Sequence, residues 1–271
     1  MSGPCSAVGG PAPYRRADRG DRTLGDARPT DHAPRADGRP LAATATAHEP
    51  DVRMLTRLRP LLAAAGLGLG VASVSEPRLA PAGPSEAAAA ASMPPRRRLE
   101  FLAGRQAARR ALRAVGLDCG EIPRSGRLPV FPPGRAASIA HSAGIAVAVA
   151  RPPGRDTPLG CDLEFRPLPH RAARLVLRED EEDLLVTGAR PADTAWSVTE
   201  LFSAKEAAWK ALHRPEAGGR TAGSSGTLRD LRACPSGDGL RISLRAEPAR
   251  AVRVRVVPLG TGVLSYVLGR S

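Results

Sequence analysis

The 271-residue chain is poor in aromatics: four Phe, two Trp and two Tyr. Modules that grip single-stranded nucleic acid interleave basic residues with aromatic stacking platforms, and there are too few rings here to build one. Lysine is scarcer still. Of 40 Lys and Arg residues, only Lys205 and Lys210 are lysine. The four cysteines, Cys5, Cys119, Cys161 and Cys234, lie far apart with no CxxC pair. That argues against a zinc ribbon or thioredoxin motif and suits a reducing cytoplasm better than a disulfide framework. No apolar run approaches the length of about 20 residues that a bilayer needs; the most apolar stretch, Leu61 to Val74, is short and glycine-rich. The opening MSGPCSAVGGPAPYRR lacks the apolar segment of a secretory signal. A cytoplasmic protein with no membrane span is the expectation.

What is abundant is arginine. The net charge of +13 calls for an acidic partner: nucleic acid, a membrane surface, a phosphorylated ligand or an acidic protein. The arginines are spread evenly, with only Arg96–Arg97–Arg98 in a tight cluster, whereas nucleic-acid modules concentrate their charge. Against this background both lysines fall within six residues, in LFSAKEAAWKAL (Leu201–Leu212), a coincidence on the order of a few per cent for random placement. An ammonium is a compact, titratable point charge and a guanidinium a bulky planar fork. The segment is therefore a candidate chemical centre.

Residues 1–51, rich in Ala, Gly, Pro and Arg with few large aliphatics, read as a disordered leader that cannot offset its ordering entropy. From Val52 the pattern changes. Helical spacing marks Val52–Leu62, Ser85–Ala91, Arg97–Val115, Arg171–Val186 with its acidic run Glu179–Asp183, and Thr194–Leu212. On Arg97–Val115 the apolar positions are Leu99, Leu102, Ala108, Leu112 and Val115, and Gly116 closes the helix. Strand-like segments are Leu67–Ser75, Ala137–Ala150 beyond His141, Leu159–Phe165, Leu240–Leu244, Ala251–Val257 and Val263–Leu268. Pro77–Pro84, Ile122–Gly134 and Gly218–Gly226 read as linkers or loops. Helices mixed with strands, and a run of strands at the end, predict an α+β fold rather than a doubly wound parallel sheet.

Four segments could carry chemistry. In LGCDLEFR (Leu159–Arg166), a strand places Asp162 and Glu164 on one face and Cys161, Leu163 and Phe165 on the other. Two neighbouring carboxylates repel unless a cation or proton lies between them, and hard oxygen donors suit Mg²⁺; the spacing alone equally fits a solvated strand face. On the lysine helix, Glu206 and Lys210 stand at i and i+4 with Phe202 a turn earlier. As a surface ion pair this is worth only about 0.3–0.5 kcal/mol. In SIAHS (Ser138–Ser142), His141 sits among small residues, where an imidazolium can reach a phosphate or simply be structural. Finally, Arg97 and Arg98 lie eight and seven residues before Arg105, so the three share a helix face, while Arg109, Arg110 and Arg113 read as a solvated basic face. His32, His48, His170 and His213 show no metal-ligand spacing.

In order along the chain, EFLAGRQAARRAL, LPVFPPGRAASIAHS, LGCDLE and LFSAKEAAWKAL resemble the 4′-phosphopantetheinyl transferases, in particular the branch that includes enterobactin synthase component D. The likeness runs from about Val52 to the C-terminus and is strongest over Arg97–Leu212. It implies a fold of two similar α+β halves, residues 52–155 and 156–271, with the site at their junction near Pro152–Pro158. It also implies an activity: transfer of the 4′-phosphopantetheine arm of coenzyme A to a serine of an apo acyl, aryl or peptidyl carrier protein, with release of adenosine 3′,5′-bisphosphate. By motif, Asp162, Glu164 and Glu206 would hold Mg²⁺, or Mn²⁺ in its place. Arg97, Arg105 and Arg124 would hold the adenosine phosphates, His141 would touch a coenzyme A phosphate, and Lys205 and Lys210 would face the diphosphate. Glu206, with Lys210 and His141, would form the catalytic set. Ala140 departs from the usual Ser or Thr, Cys161 from Val or Ile, and Phe131 from Trp; the leader is outside the family pattern. A monomer acting on acidic carrier domains is expected. The competing reading is a non-catalytic basic binding protein of the same fold, for a carrier protein or nucleic acid.

Overall fold

Proline placement sets the first helices. The computed structural model describes residues 48–154, 157–186, 194–213 and 226–270; most of the expected leader and residues 218–225 of the expected C-terminal loop lie outside them. Helices α1 (Glu49–Thr56) and α2 (Arg59–Ala64) each carry Pro in the first turn. Pro60 cannot donate a helical hydrogen bond, so the single helix expected over Val52–Leu62 is broken in two. Strand β1 (Gly68–Ser73), helix α3 (Pro84–Ala91) and helix α4 (Pro95–Arg113) follow. A two-residue-per-strand hairpin, β2 (Arg124–Ser125) and β3 (Leu128–Pro129), interrupts the expected loop.

The segment Ala137–Ala150, expected to be a strand beyond His141, is a hairpin, β4 (Ala137–Ser142) and β5 (Ile145–Ala150). Ala143 and Gly144 between them have φ of 50° and 81°, the positive pair that a two-residue hairpin turn demands. The first sheet has the order β1-β5-β4, all antiparallel. On β5 the period of two divides the side chains: Ala146, Ala148 and Ala150 face α4 and its buried Ala103, Ala107, Ala108, Ala111 and Leu112. Ile145, Val147 and Val149 face a second core. Leu99, read as part of the apolar face of α4, is exposed. Arg109, read as solvated, is buried and pairs at 2.7 Å with the fully buried Glu86. Glu86 also accepts from Ile122 N and Ala82 N. Arg110 likewise is clamped, to Glu76 and Val71 O.

Strand β6 (Cys161–Glu164) opens the C-terminal part. The helix expected over Arg171–Val186 is instead a short 3₁₀ turn, a one-turn α5 (Ala173–Val176) and a 3₁₀ run over Glu179–Leu185, because Leu177 and Arg178 are extended. Helix α6 (Val198–Leu212) starts later than Thr194 because Ser197 and Glu200 form a capping box: Glu200 N donates to Ser197 Oγ and Ser197 N to Glu200 Oε2. Four strands complete the chain: β7 (Leu231–Ser236), β8 (Gly239–Leu244), β9 (Ala251–Leu259) and β10 (Gly262–Arg270). β7, not expected, carries Pro235, which a sheet tolerates only at an edge; the order is β6-β10-β9-β8-β7. Helix α6 covers this sheet, packing Leu201, Ala204 and Ala208 against Val252, Val254, Val263 and Val267. A Cβ on Gly160 would stand 1.9 Å from Ala207 O, so only glycine lets the approach to β6 pass this close beneath α6.

The fold is α+β, as expected. β4 and β6 join the two sheets through serines: Cys161 N donates to Ser138 Oγ at 3.0 Å and Phe165 N to Ser142 Oγ at 3.1 Å. One core runs across the junction, with Leu69, Val71 and Val147 beside Cys161, Leu163, Leu264 and Tyr266.

Candidate active site

The β4–β6 junction brings a line of polar side chains to one place. Lys210, near the end of α6, donates from Nζ to Asp162 Oδ1 at 2.8 Å and to Cys161 O at 3.0 Å. Glu206 stands one helical turn before Lys210. Two residues along β6, Glu164 Oε2 accepts from Ser142 Oγ at 3.3 Å. His141, the residue before Ser142 on β4, is exposed, and its Nε2 accepts from Arg97 Nη1 at 2.9 Å. Arg97 also pairs with Glu100 at 3.2 Å. A shallow cleft of about 170 Å³ lies here, lined by Arg96, Glu100, His141, Ser142 and Arg166 with the Ala143–Gly144 turn.

The charges are crowded. Burial pushes the Glu164 carboxyl up to about 7; the Asp162 charge adds to this, Ser142 and Lys210 oppose it, and Glu206 raises it further. Glu206 is raised by burial, against the pull of Lys210 and with the push of Asp162. Asp162, buried at 6 % exposure, is also raised by burial, partly offset by Lys210 and by the nearby Ser203 hydroxyl. Burial works against the Lys210 ammonium, but Asp162 and Cys161 outweigh it and keep its pKa above the ordinary lysine value. Three carboxylates thus share a partly dry space with one ammonium.

That donor set fits a hard divalent cation: all-oxygen, with more negative charge than Lys210 alone balances. As the side chains stand, no three His, Cys, Asp or Glu among the described residues are close enough together to enclose a metal ion. Lys210 holds one oxygen of Asp162, and Glu164 is turned to Ser142.

Three other candidates lie elsewhere. Lys205 is fully buried, its Nζ donating to Glu181, Val176 O at 2.8 Å and Leu231 O at 3.0 Å. At about 100° per residue, it projects about 140° around α6 from Lys210. The expectation that it faces a diphosphate is therefore wrong: it pins α6 to the 3₁₀ run and β7. Its partner Glu181, part of the acidic run Glu179–Asp183, is buried and also binds Arg245 Nη2 and Ala233 N. Arg105 is likewise internal. Its Nε donates to Ile122 O at 2.8 Å and its guanidinium lies 4.5 Å over the Phe101 ring; burial lowers its pKa to about 10. It fixes the loop from α4 rather than presenting its charge to solvent. Arg124 is exposed on β2, donating to Gly126 O, and does not line the cleft. Ser138 and Ser142, small neighbours of His141 to which the sequence assigned no role, join the sheets, and Ser142 also holds Glu164.

Residues 85–151 match the model of the 4′-phosphopantetheinyl transferase N-terminal domain, and residues 158–256 that of the 4′-phosphopantetheinyl transferase superfamily. The two matches divide between β5 and β6, and the second contains Asp162, Glu164, Glu206 and Lys210. The chain belongs to the 4′-phosphopantetheinyl transferase superfamily. It is similar to enterobactin synthase component D of Salmonella typhi, 38% identical over 122 residues, covering 43% of this chain and 49% of the relative. The Salmonella typhimurium protein of the same name matches to the same extent. It is also similar to 4′-phosphopantetheinyl transferase Svp of Streptomyces mobaraensis, 37% identical over 133 residues, 48% of this chain and 54% of that protein. The chain thus spans about half the length of the curated relatives it matches. No helix among the described residues is long and apolar enough to cross a membrane.

Proposed function

We propose that this chain transfers the 4′-phosphopantetheine group of coenzyme A to a serine hydroxyl of an apo acyl, aryl or peptidyl carrier protein. The observation that carries this is the convergence of Asp162, Glu164, Glu206 and Lys210 at the β6–α6 contact, inside the superfamily match. The serine oxygen bonds to the β-phosphorus of coenzyme A, and the bond to the α-phosphate oxygen breaks, releasing adenosine 3′,5′-bisphosphate. Glu206 takes the serine proton as a positioned carboxylate base; burial raises its pKa above the ordinary glutamate value, which favours proton uptake. Lys210 neutralises charge on the diphosphate oxygens as the leaving group forms. Asp162, Glu164 and Glu206 would hold Mg²⁺ or Mn²⁺, which supplies Lewis-acid stabilisation of the transferring phosphoryl oxygens.

His141 and Arg97, already bonded to each other, bind coenzyme A phosphate at the cleft, with Arg124 reaching the ligand from the β2–β3 hairpin. The +13 charge speeds encounter with acidic carrier domains. The protein works as a cytoplasmic monomer. The test is incubation with coenzyme A, Mg²⁺ and a panel of apo carriers, read by intact mass. A gain of about 340 Da on a carrier is the covalent phosphopantetheine adduct. No gain on any carrier, with binding retained, would favour a non-catalytic carrier-binding protein.

A further inference from the structure

Among the described residues, three buried oxygens beside the candidate site have no hydrogen-bond partner: Asp162 Oδ2, Ser203 Oγ and Ser265 Oγ. They come from three elements, and the topology gathers them. Ser265 on β10 lies directly opposite Asp162 on β6, so both side chains rise from the same face of the sheet. Val263 and Val267, flanking Ser265 at the same phase, pack into the core beneath α6. The alternating Cys161, Leu163, Leu264 and Tyr266 pack into the other core. The face shared by Asp162 and Ser265 is therefore the one that α6 covers. From α6, Ser203 points inward and is close enough to act electrostatically on Asp162. Both serines are 0 % exposed.

An ionised carboxylate can only accept hydrogen bonds, whereas a serine hydroxyl can donate one. Buried polar groups without partners are costly. Two donors placed around the one unpaired oxygen of a buried acid are complementary to it. Asp162 Oδ1 is already fixed by Lys210, so hydroxyl donation to Oδ2 would fix both ends of the carboxylate.

We propose that Ser203 and Ser265 are positioning residues whose hydroxyls orient the Asp162 carboxylate for a divalent cation. This rests on the reading of Asp162 as a cation ligand given above. Groups that hydrogen-bond a ligating side chain typically contribute 10–100-fold to metal affinity. The test uses the full chain and Mn²⁺, with free Mn²⁺ counted by electron paramagnetic resonance and folding followed by thermal melts. The double variant Ser203→Ala/Ser265→Ala should bind Mn²⁺ about tenfold or more weakly while melting no lower than the wild type. Ser265→Thr, which keeps the hydroxyl, should retain affinity that Ser265→Ala loses. If the double variant does not fold, this Thr-against-Ala comparison decides instead, and equal Mn²⁺ affinity in the two overturns the proposal. Undiminished Mn²⁺ binding by a folded double variant, where Asp162→Asn loses it, overturns the serine role and leaves the proposed function standing. Equal Mn²⁺ binding by wild type and Asp162→Asn overturns both the ligand reading and this one.

Discussion

Replacing Glu164 by glutamine probes the crowding at the site. Gln keeps the shape and an oxygen acceptor for Ser142, but it cannot ionise. In the wild type, burial and the Asp162 charge raise the Glu164 pKa from 4.5 to about 7. The folded state therefore binds this proton more tightly than the unfolded chain does. The associated stability is fully present below about pH 4.5 and is lost as pH rises through about 7. At 1.36 kcal/mol per tenfold change, the whole shift corresponds to about 3 kcal/mol. Glu164 is half-buried, and solvent screening reduces this to about 1–2 kcal/mol. Urea unfolding with a chelator present should find Glu164→Gln more stable than wild type by about 1–2 kcal/mol at pH 8.5, with the gap closing toward pH 4.5. Saturating Mg²⁺ at pH 8.5 should then stabilise the wild type and leave the variant almost unaffected. A variant no more stable than wild type at pH 8.5 would refute the crowded-carboxylate reasoning.

The two lysines should separate cleanly. Lys205→Met leaves a buried Glu181 with half its cation partners and should cost about 3–5 kcal/mol of stability, measured by denaturant unfolding; a cost below about 1 kcal/mol would contradict the buried network. Lys210→Met strands the buried Asp162 carboxylate and should also cost stability, but unlike Lys205→Met it should abolish phosphopantetheinyl transfer even in the folded fraction. Arg97→Ala, at an exposed position bonded to His141, should raise KM for coenzyme A about tenfold, as for one lost hydrogen bond to a charged group, with an unchanged melting temperature. Gly160→Ala forces a Cβ to within 1.9 Å of Ala207 O and should destabilise by about 2 kcal/mol or more; an unperturbed melt would show that β6 and α6 are less closely apposed.

Much of this site was legible in the sequence. The Asp-x-Glu alternation on a short strand and the Glu206–Lys210 spacing each depend on one local period, and the structure keeps both on their elements. What failed needed information beyond one period. Lys205 and Lys210 were grouped by rarity of residue type, although helix geometry already separated them by about 140°. Arg109 looked like surface charge, and the burial of Glu181 had no signal, because nothing local announces that a charged side chain has a buried partner 23 or 24 residues away. The β4–β5 hairpin was hidden in an alanine-rich apolar run whose only punctuation is Ala143–Gly144. Strand β7 was masked by Pro235, which is tolerated only because β7 ends its sheet. Ser203 and Ser265 gain their meaning from strand register, which no single segment encodes.

The most direct measurement is the intact mass of an apo carrier after incubation with coenzyme A, Mg²⁺ and either wild-type protein or folded Asp162→Asn. The carrier should gain about 340 Da of phosphopantetheine with the wild type and nothing with the variant. Equal modification by both would contradict catalysis through the Asp162–Glu164–Glu206 carboxylates.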